Sequence, residues 1–191
     1  QKNISMSYTK QTDNDSAMKE IKIQLREELI KDKQSVKVLE AFSGDGVLWN
    51  EIKARHPGKD IRILRMDQKT DKKGVYLKGD NLKFLASMDL TAFDIIDLDA
   101  YGSPFPQLQI LFNSPYSGPV VCTFIQTMVG ALNKAFLYEL GYTERMIKKC
   151  PSLFNINGLD KMKAYLAKKG VKNIRFYSEN RKNYFSSIAA R

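Results

Sequence analysis

The sequence predicts an α/β protein in which a doubly wound, mostly parallel β-sheet lies between two helical layers. Short, continuous apolar runs alternate with helical segments along the 191 residues, which is typical of a parallel sheet covered on both faces. Only a polar turn separates the last two apolar runs, 174–177 and 184–189, so we expect them to form an antiparallel hairpin at one edge of the sheet. The predicted fold is therefore a three-layer sandwich with an antiparallel edge hairpin.

The first predicted element is a helix that begins at an N-cap, Asp15 or Ser16, and runs to about Lys33. Apolar residues recur along one face at helical spacing, and the remaining surface is charged. We therefore expect this helix to pack at an edge of the domain. The chain is divided accordingly into a polar N-terminus with an edge helix, residues 1–34, and the main domain, residues 35–191.

Strands and helices alternate through most of the remaining chain, and glycine, proline or polar residues lie between them. The predicted strands are 36–42, 61–66, 93–98, 120–125, 174–177 and 184–189, and the predicted helices are 47–53, 82–88, 133–140 and 159–169. The hydrophobic content of 43% is sufficient for one sizeable core.

Composition excludes several classes of protein. No apolar run approaches the roughly 18–20 residues of a membrane span, and no signal-peptide pattern opens the chain. Cys122 and Cys150 give neither a disulfide framework nor zinc-ligand spacing, and we expect both to be reduced. His56, the single histidine, is expected on the surface near a helix end. These features predict a cytoplasmic protein with no metal site and no membrane partner.

The positive charge is concentrated in the last quarter of the chain. Residues 141–191 contain 12 Lys or Arg and 3 Asp or Glu, whereas residues 1–140 contain 19 and 18. A region in which most charges are positive is typical of a surface that binds phosphates. The alternative is a lysine-rich, solvated helix face. The candidates for phosphate contact are Lys148, Lys149, Lys161, Lys163, Lys168, Lys169, Lys172, Arg175, Arg181 and Lys182.

A glycine-containing turn lies between the first predicted strand of the main domain and the helix after it. Gly44 and Gly46 would let a ligand approach the backbone closely, and the following helix start offers free N–H groups. Asp67 follows Gly46 by 21 positions and closes the next strand, where a carboxylate accepts hydrogen bonds from ribose hydroxyls. The turn therefore predicts a nucleotide-type ligand.

Two features argue against a dinucleotide. Trp49 occupies the position of the third glycine of the usual motif, and Glu40 and Asp45 would repel a pyrophosphate. With Asp67, Asp80 and Asp97 they would instead form an acidic crevice, which suits a cationic adenosine ligand such as S-adenosylmethionine. The alternative is a doubly wound fold in which these acids only cap helices.

A second acidic strand end lies further along the chain, in residues 93–104. Asp94, Asp97 and Asp99 interrupt an apolar run that ends at Tyr101, Gly102 and Pro104. Because buried carboxylates are costly without partners, we expect this strand to deliver acids into a crevice and a tight loop to present Tyr101. The alternative is that Asp97 and Asp99 are merely solvated.

These segments resemble the class I S-adenosylmethionine-dependent methyltransferases over roughly residues 35–191. Residues 39–46 look like the first motif of that family, and residues 94–104 are similar to the fourth motif of the tRNA guanine-26 N2-methyltransferases, except that Ala100 replaces a proline. The resemblance implies a Rossmann-like fold and S-adenosyl-L-methionine as cofactor. The predicted cofactor-binding residues are Glu40, Phe42, Ser43, Gly44, Asp45, Gly46, Asp67, Gln68, Asp80, Asn81 and Asp97.

Asp99 and Tyr101 are the predicted catalytic residues. An exocyclic amine of a base is a poor nucleophile, and acceptors on its N–H groups activate and orient it. Asp99 and the Ala100 carbonyl would accept these bonds, and Tyr101 would stack on the base. The alternative for Tyr101 is a core aromatic. Gln107–Ile110 and Gln126–Met128 are weaker candidates for lining the substrate side.

The predicted function is therefore transfer of a methyl group to an exocyclic amine of a nucleic-acid base, most directly guanine N2 in a tRNA-like RNA during tRNA processing. The expected partner is RNA rather than DNA, bound through the basic last quarter, with an accessory RNA-binding protein in place of the C-terminal domain of that family. One alternative is a DNA amino-methyltransferase that needs a partner for target recognition. Another is a catalytically weakened RNA-binding module, and a third, a small-molecule methyltransferase, is disfavoured by the basic region.

Overall fold

The computed structural model describes residues 18–100, 103–125, 133–149, 153–179 and 182–190. Its strands are β1 (Ser35–Glu40), β2 (Asp60–Asp67), β3 (Leu77–Lys78), β4 (Ile95–Leu98), β5 (Val120–Ile125), β6 (Val171–Glu179) and β7 (Lys182–Ala190). Its helices are α1 (Lys19–Ile30), α2 (Val47–Arg55), α3 (Asn81–Ser87), α4 (Phe105–Asn113), α5 (Lys134–Glu139), α6 (Glu144–Lys149) and α7 (Leu153–Lys168), and a single 3₁₀ turn spans Leu90–Ala92.

The seven strands form one sheet in the order β3-β2-β1-β4-β5-β7-β6. The first five strands in this order run parallel, and β7 pairs antiparallel with both β5 and β6. The predicted parallel sheet and its antiparallel edge hairpin are therefore confirmed.

Alternate residues of the strands enter two hydrophobic layers, as the two-residue period of a strand requires. Val38 and Ile95 pack under α1 and α2, together with the fully buried Ile23 and Trp49. Residues that point the other way, such as Leu39, pack under α4, α5 and α7. This is the predicted three-layer arrangement.

The first helix differs from its predicted form. Its described part runs from Lys19 to Ile30, so it ends before Lys33, and the predicted caps Asp15 and Ser16 lie outside the described residues. Its buried face includes two charged residues, Lys22 and Arg26. Part of its charged surface is therefore buried, because Lys22 and Arg26 meet Asp99 and Asp97 at the carboxyl end of β4. The predicted boundary at residue 34 stays a prediction.

Three helical features were missed or misplaced by the sequence pattern. Helix α4 begins between two prolines, Pro104 at its N-cap and Pro106 within its first turn, where proline needs no hydrogen bond. Helix α6 was not predicted, and α7 begins at Leu153 rather than at residue 159. The predicted surface position of His56 is confirmed: it follows the last residue of α2, is half-buried, and its Nε2 lies 2.9 Å from Glu27 Oε1.

Cys122 is free and buried, and Cys150 lies outside the described residues. Within the described ranges, no helix has the length and apolar character needed to cross a membrane. The same ranges hold no group of three or more His, Cys, Asp or Glu side chains placed to bind a metal ion.

Candidate active site

The carboxyl ends of the five parallel strands meet along one edge of the sheet. Five of the predicted acids lie at or next to this edge, which we call the carboxyl edge and define by Glu40, Asp67, Asp80, Asp97 and Asp99. Asp94 lies at the opposite end of β4, where its Oδ2 accepts a 2.8 Å hydrogen bond from the Lys37 backbone N–H. The topology therefore separates Asp94 from the other carboxylates of its segment.

The glycine turn after β1 is closed by its own backbone. Gly46 N–H donates to the Ser43 carbonyl over 2.7 Å, and the Ser43 N–H donates to the Met66 carbonyl over 3.0 Å. Gly44 and Gly46 have φ values of 51° and 69°, which favour glycine. The turn thus leads directly from β1 into α2, as the sequence predicts.

Asp67 joins this turn to the end of β2. Its Oδ2 accepts from the Gly44 N–H and its Oδ1 from the Lys69 N–H, each over 2.9 Å. A carboxylate has about four acceptor positions, so these two bonds from described residues leave one position on each oxygen. Gln68, the next predicted cofactor contact, follows directly and is exposed.

Other predicted cofactor residues already have structural partners. Asp80 caps α3 by accepting from the Leu82 N–H over 3.0 Å, which is the alternative role that the sequence left open. Asn81 donates to the Ala41 carbonyl over 2.8 Å and accepts from Gln107 over 2.9 Å. Their cofactor contacts stay predictions.

Three members of the predicted cofactor set lie in or beside the glycine turn. Ser43 is buried, and Phe42 is half-buried against the larger hydrophobic layer. Asp45 accepts from the Lys73 N–H over 3.2 Å, which ties the turn to the basic loop after β2.

Glu40 and Arg65 are neighbours on adjacent strands. Glu40 Oε2 lies 3.4 Å from Arg65 Nε without hydrogen-bond geometry, and neither buried atom has a hydrogen-bond partner among the described residues. Burial, reinforced by the negative charge of Asp97, raises the pKa of Glu40 to about 8. The Arg65 side chain lies against the glycine turn, since a Cβ on Gly46 would collide with its guanidinium group. Arg65 was not singled out from the sequence.

Asp97 is completely buried beneath the edge. It accepts from Arg26 Nε over 2.7 Å, from Arg26 Nη2 over 2.9 Å, and from the Trp49 indole N–H over 2.7 Å. Trp49, which replaces a motif glycine, therefore supplies a hydrogen bond. All three of these donors belong to the protein. The direct ligand contact predicted for Asp97 stays a prediction.

Asp99 lies one step further out, and its side chain is 11% exposed. Lys22 Nζ lies 2.9 Å and Arg26 Nη2 3.2 Å from its Oδ2, and the Thr123 hydroxyl donates to its Oδ1. Burial alone would raise the pKa of Asp99, but the charges of Arg26 and Lys22 outweigh it and hold that pKa below its usual value. Asp99 is therefore an anion at neutral pH.

The chain turns sharply after this carboxylate. The Ala100 N–H donates to the Leu98 carbonyl over 2.8 Å, and the predicted tight loop that follows stays a prediction. Tyr101, the second predicted catalytic residue, and residues 126–128 lie outside the described residues.

Sequence reasoning missed Lys22, Arg26 and Thr123 as site residues. Lys22 and Arg26 are four positions apart and thus share one face of α1, but the same spacing is common on solvated helices. Only the position of Asp97 and Asp99 under α1 distinguishes a buried pair of cations from a solvated pair with the same spacing.

No protein-family model matches the chain, and no curated protein matches it. Several solved structures do match the chain in their architecture. An O-methyltransferase family protein from Burkholderia thailandensis is 11% identical, with a TM-score of 0.53 over 92% of this chain and 56% of that one. A SAM-dependent methyltransferase from Archaeoglobus fulgidus is 14% identical, with a TM-score of 0.53 over 89% and 93%.

A third structure is a phosphoethanolamine N-methyltransferase from Haemonchus contortus, in complex with phosphomonomethylethanolamine and S-adenosylhomocysteine. It is 10% identical, with a TM-score of 0.52 over 90% of this chain and 53% of that one. The chain thus spans little more than half the length of two of these proteins. At these identities the likeness concerns architecture: the chain has the class I S-adenosylmethionine-dependent methyltransferase fold.

Proposed function

We propose that this protein is an S-adenosylmethionine-dependent methyltransferase that modifies an exocyclic amine of a nucleic-acid base, with guanine N2 in RNA as the first candidate. The observation that carries the proposal is the anionic Asp99 at the carboxyl edge of a methyltransferase fold, where it follows β4, the strand that pairs with β1. An anionic acceptor there suits an amine nucleophile, whose N–H groups need acceptors.

The residues at the carboxyl edge fit the proposed cofactor. With its partners among the described residues, Asp67 retains one acceptor position on each oxygen, which suits a ribose diol. The unpartnered Oε2 of Glu40 and Nε of Arg65 would be satisfied by the ammonium and carboxylate of an amino-acid group. Glu40, Arg65 and Asp67 would therefore hold the two ends of S-adenosylmethionine, which supplies an electrophilic methyl group when bound.

The role of Asp99 is to activate the substrate. Its carboxylate accepts an N–H of the amine, which raises the electron density on nitrogen and orients its lone pair. Methyl transfer would form the nitrogen–carbon bond as the sulfur–methyl bond of the bound cofactor breaks, and neutral S-adenosylhomocysteine would leave. The Asp99 carboxylate would stabilise the positive charge on nitrogen until an N–H proton passes to solvent. The Ala100 carbonyl provides a second acceptor for the other N–H.

The basic last quarter is the proposed nucleic-acid surface. Lys163 and Lys168 on α7 are exposed, as are Lys172 and Arg175 on β6. Part of this charge is balanced, since Arg175 lies 2.6 Å from Glu28 and Lys169 lies 3.4 Å from Glu139. Such contacts position a nucleic acid without reading its sequence. Arg181 and the side chain of Lys182 lie outside the described part of the chain.

The test combines binding with transfer. Calorimetry with S-adenosylmethionine should show one site, and labelled methyl should enter one of three pools, total tRNA, rRNA or DNA. Nucleoside analysis of the labelled pool then identifies the modified amine. If only the DNA pool is labelled, the substrate is DNA rather than RNA. Cofactor binding without any label, together with salt-sensitive RNA binding, would favour the RNA-binding module.

A further inference from the structure

Two cations of α1 point into the protein although most charges of this helix face solvent. Lys22 and Arg26 are 7% and 1% exposed. Burying a charge without partners is strongly unfavourable. Their position therefore requires the carboxylates that they meet, Asp97 and Asp99.

Lys22 and Arg26 contact different sets of groups. Arg26 is shared, since it makes two hydrogen bonds to Asp97 and one to Asp99. Lys22 contacts Asp99, over 2.9 Å, and lies over the Tyr184 ring at 5.2 Å from its centroid. Lys22 is therefore the cation whose removal affects Asp99 with the least effect on the core.

Counting acceptor positions shows what Asp99 has left. Lys22 and Arg26 occupy both positions on Oδ2, and the Thr123 hydroxyl occupies one on Oδ1. A carboxylate has about four positions in all. Among the described residues, these donors leave one position, on the oxygen that faces β5.

The charges around Asp99 come from three strands and one helix. Glu40 on β1, Asp97 on β4 and Cys122 on β5 are the titratable neighbours, and Lys22 and Arg26 face it from α1. Burial raises the pKa of both Glu40 and Cys122, so these two are neutral near pH 7. Two cations thus balance two carboxylates.

We propose that Lys22, with Arg26 and Thr123, is a positioning residue that fixes Asp99 so that it offers one acceptor position to one N–H of the substrate amine. This inference rests on the proposed function. It also implies that Asp99 alone does not pair with both N–H donors of a guanine edge, so the second donor depends on the Ala100 carbonyl.

The experiment is the pH profile of kcat/KM for methyl transfer, measured in whichever of the tRNA, rRNA or DNA pools the wild-type protein labels. In Lys22→Met, Asp99 loses a close cation, so we expect the acidic limb to move toward neutral pH by about one unit or more. S-adenosylmethionine affinity should stay within about twofold, because the side-chain contacts of Lys22 are with Asp99 and Tyr184 and not with Glu40, Arg65 or Asp67 among the described residues. Lys22→Arg should restore the wild-type limb.

Two further variants keep the result interpretable. Lys19→Met is the matched control on the same helix, since Lys19 pairs with Glu51 on α2, and its profile should overlay that of the wild type. If Lys22→Met does not fold, Thr123→Val removes a donor from the other oxygen and should move the limb in the same direction, whereas Thr123→Ser should not.

An acidic limb that stays in place in Lys22→Met or Thr123→Val, whatever the loss of rate, would overturn the positioning role and leave the proposed function intact. A wild-type protein that binds S-adenosylmethionine and labels none of the three pools would contradict the proposed function, and this inference with it.

Discussion

At the scale of single residues, the carboxyl edge contains acids in opposite protonation states. The pKa of Glu40 is raised to about 8 by burial, whereas Asp99 is kept ionised by Arg26 and Lys22. Neighbouring groups whose pKa values are pushed apart are typical of functional sites, although structural ion pairs also produce them. In the proposed site, the acid assigned to the cofactor, Glu40, is neutral, and the acid assigned to the substrate, Asp99, is an anion.

Glu40 should make the protein less stable as pH rises. Its pKa in the folded state, about 8, exceeds its ordinary value of 4.5, so the folded state binds more protons between these values. Relative to Glu40→Gln, the wild type should lose up to roughly 1 kcal/mol per pH unit between about pH 4.5 and 8. Urea unfolding of both proteins across this range measures the difference.

The control is Glu20→Gln. The hydrogen bond from Arg55 lowers the pKa of Glu20 in the folded state. Glu20 therefore stabilises the folded protein above its unfolded-state pKa, and this stabilisation is lost as pH falls. If the free energy of unfolding of the wild type does not fall relative to that of Glu40→Gln as pH rises, the neutral state of Glu40 in the folded protein is contradicted.

The sequence was most informative where local chemistry determines position. Gly44, Gly46 and Asp67 are placed by turn geometry and by the end of a strand, and the structure brings them together as predicted. Lys22 and Thr123 could not be found this way, because their role depends on contacts with residues 77 and 24 positions away in the chain.

At the scale of elements, α1 is attached to β4 through charge as well as through apolar packing. Ile23 and Ile30 are completely buried in the layer under α1. Arg26 adds hydrogen bonds to Asp97 on β4, to Asp99 just beyond it, and to the Lys22 carbonyl, the last over 2.8 Å. The position of Asp99 therefore depends on the docking of α1.

Removing Arg26 should be strongly destabilising. Arg26→Met leaves Asp97 buried with Trp49 as its remaining hydrogen-bond donor among the described residues, and breaking a buried pair in this way costs about 3–5 kcal/mol. Equilibrium unfolding in urea measures the loss. The matched control is Arg55→Met, whose partners Glu20 and Glu51 are on the surface, and its effect should be small. Equal effects of the two substitutions would contradict the structural role of the buried pair.

Hydrophobic periodicity predicted most of the helices and strands, except where a local sequence signal pointed to the wrong structure. The alternation of strands and helices and the final hairpin follow from the pattern. Helix α4 was missed because Pro104 and Pro106 suggest a break, although both are tolerated at a helix start. The buried face of α1 was misplaced because apolar periodicity alone does not show that Arg26 has an acidic partner.

At the scale of the whole molecule, the fold separates two chemistries. Acids gather at the carboxyl edge, and the positive charge gathers on α7 and the final strands. Lys163 lies over the Phe176 ring at 5.2 Å from its centroid, so its stem is held against β6 while it stays exposed. An anionic polymer would be attracted to this side while the edge favours a cationic ligand.

The basic surface should give salt-dependent RNA binding. Replacing Lys163 and Lys168 together by Gln should weaken binding and lower the salt slope by about 1 for each phosphate that the protein no longer neutralises. Lys53→Gln, on α2 in the opposite helical layer, is the control and should bind as the wild type does. Filter binding to total tRNA between low and physiological salt measures both effects. An unchanged slope in the double variant would exclude α7 from the interface.

Asp99 is proposed to activate an amine for methyl transfer, and β4 offers a matched pair of substitutions to test this central role. Asp99 lies just beyond the carboxyl end of β4, and Asp94 just before its amino end. Transfer of labelled methyl from S-adenosylmethionine should fall by about 100-fold or more in Asp99→Asn, with cofactor binding retained, and stay at the wild-type rate in Asp94→Asn. Equal rates for wild type and Asp99→Asn, with both proteins folded, would contradict the proposed role.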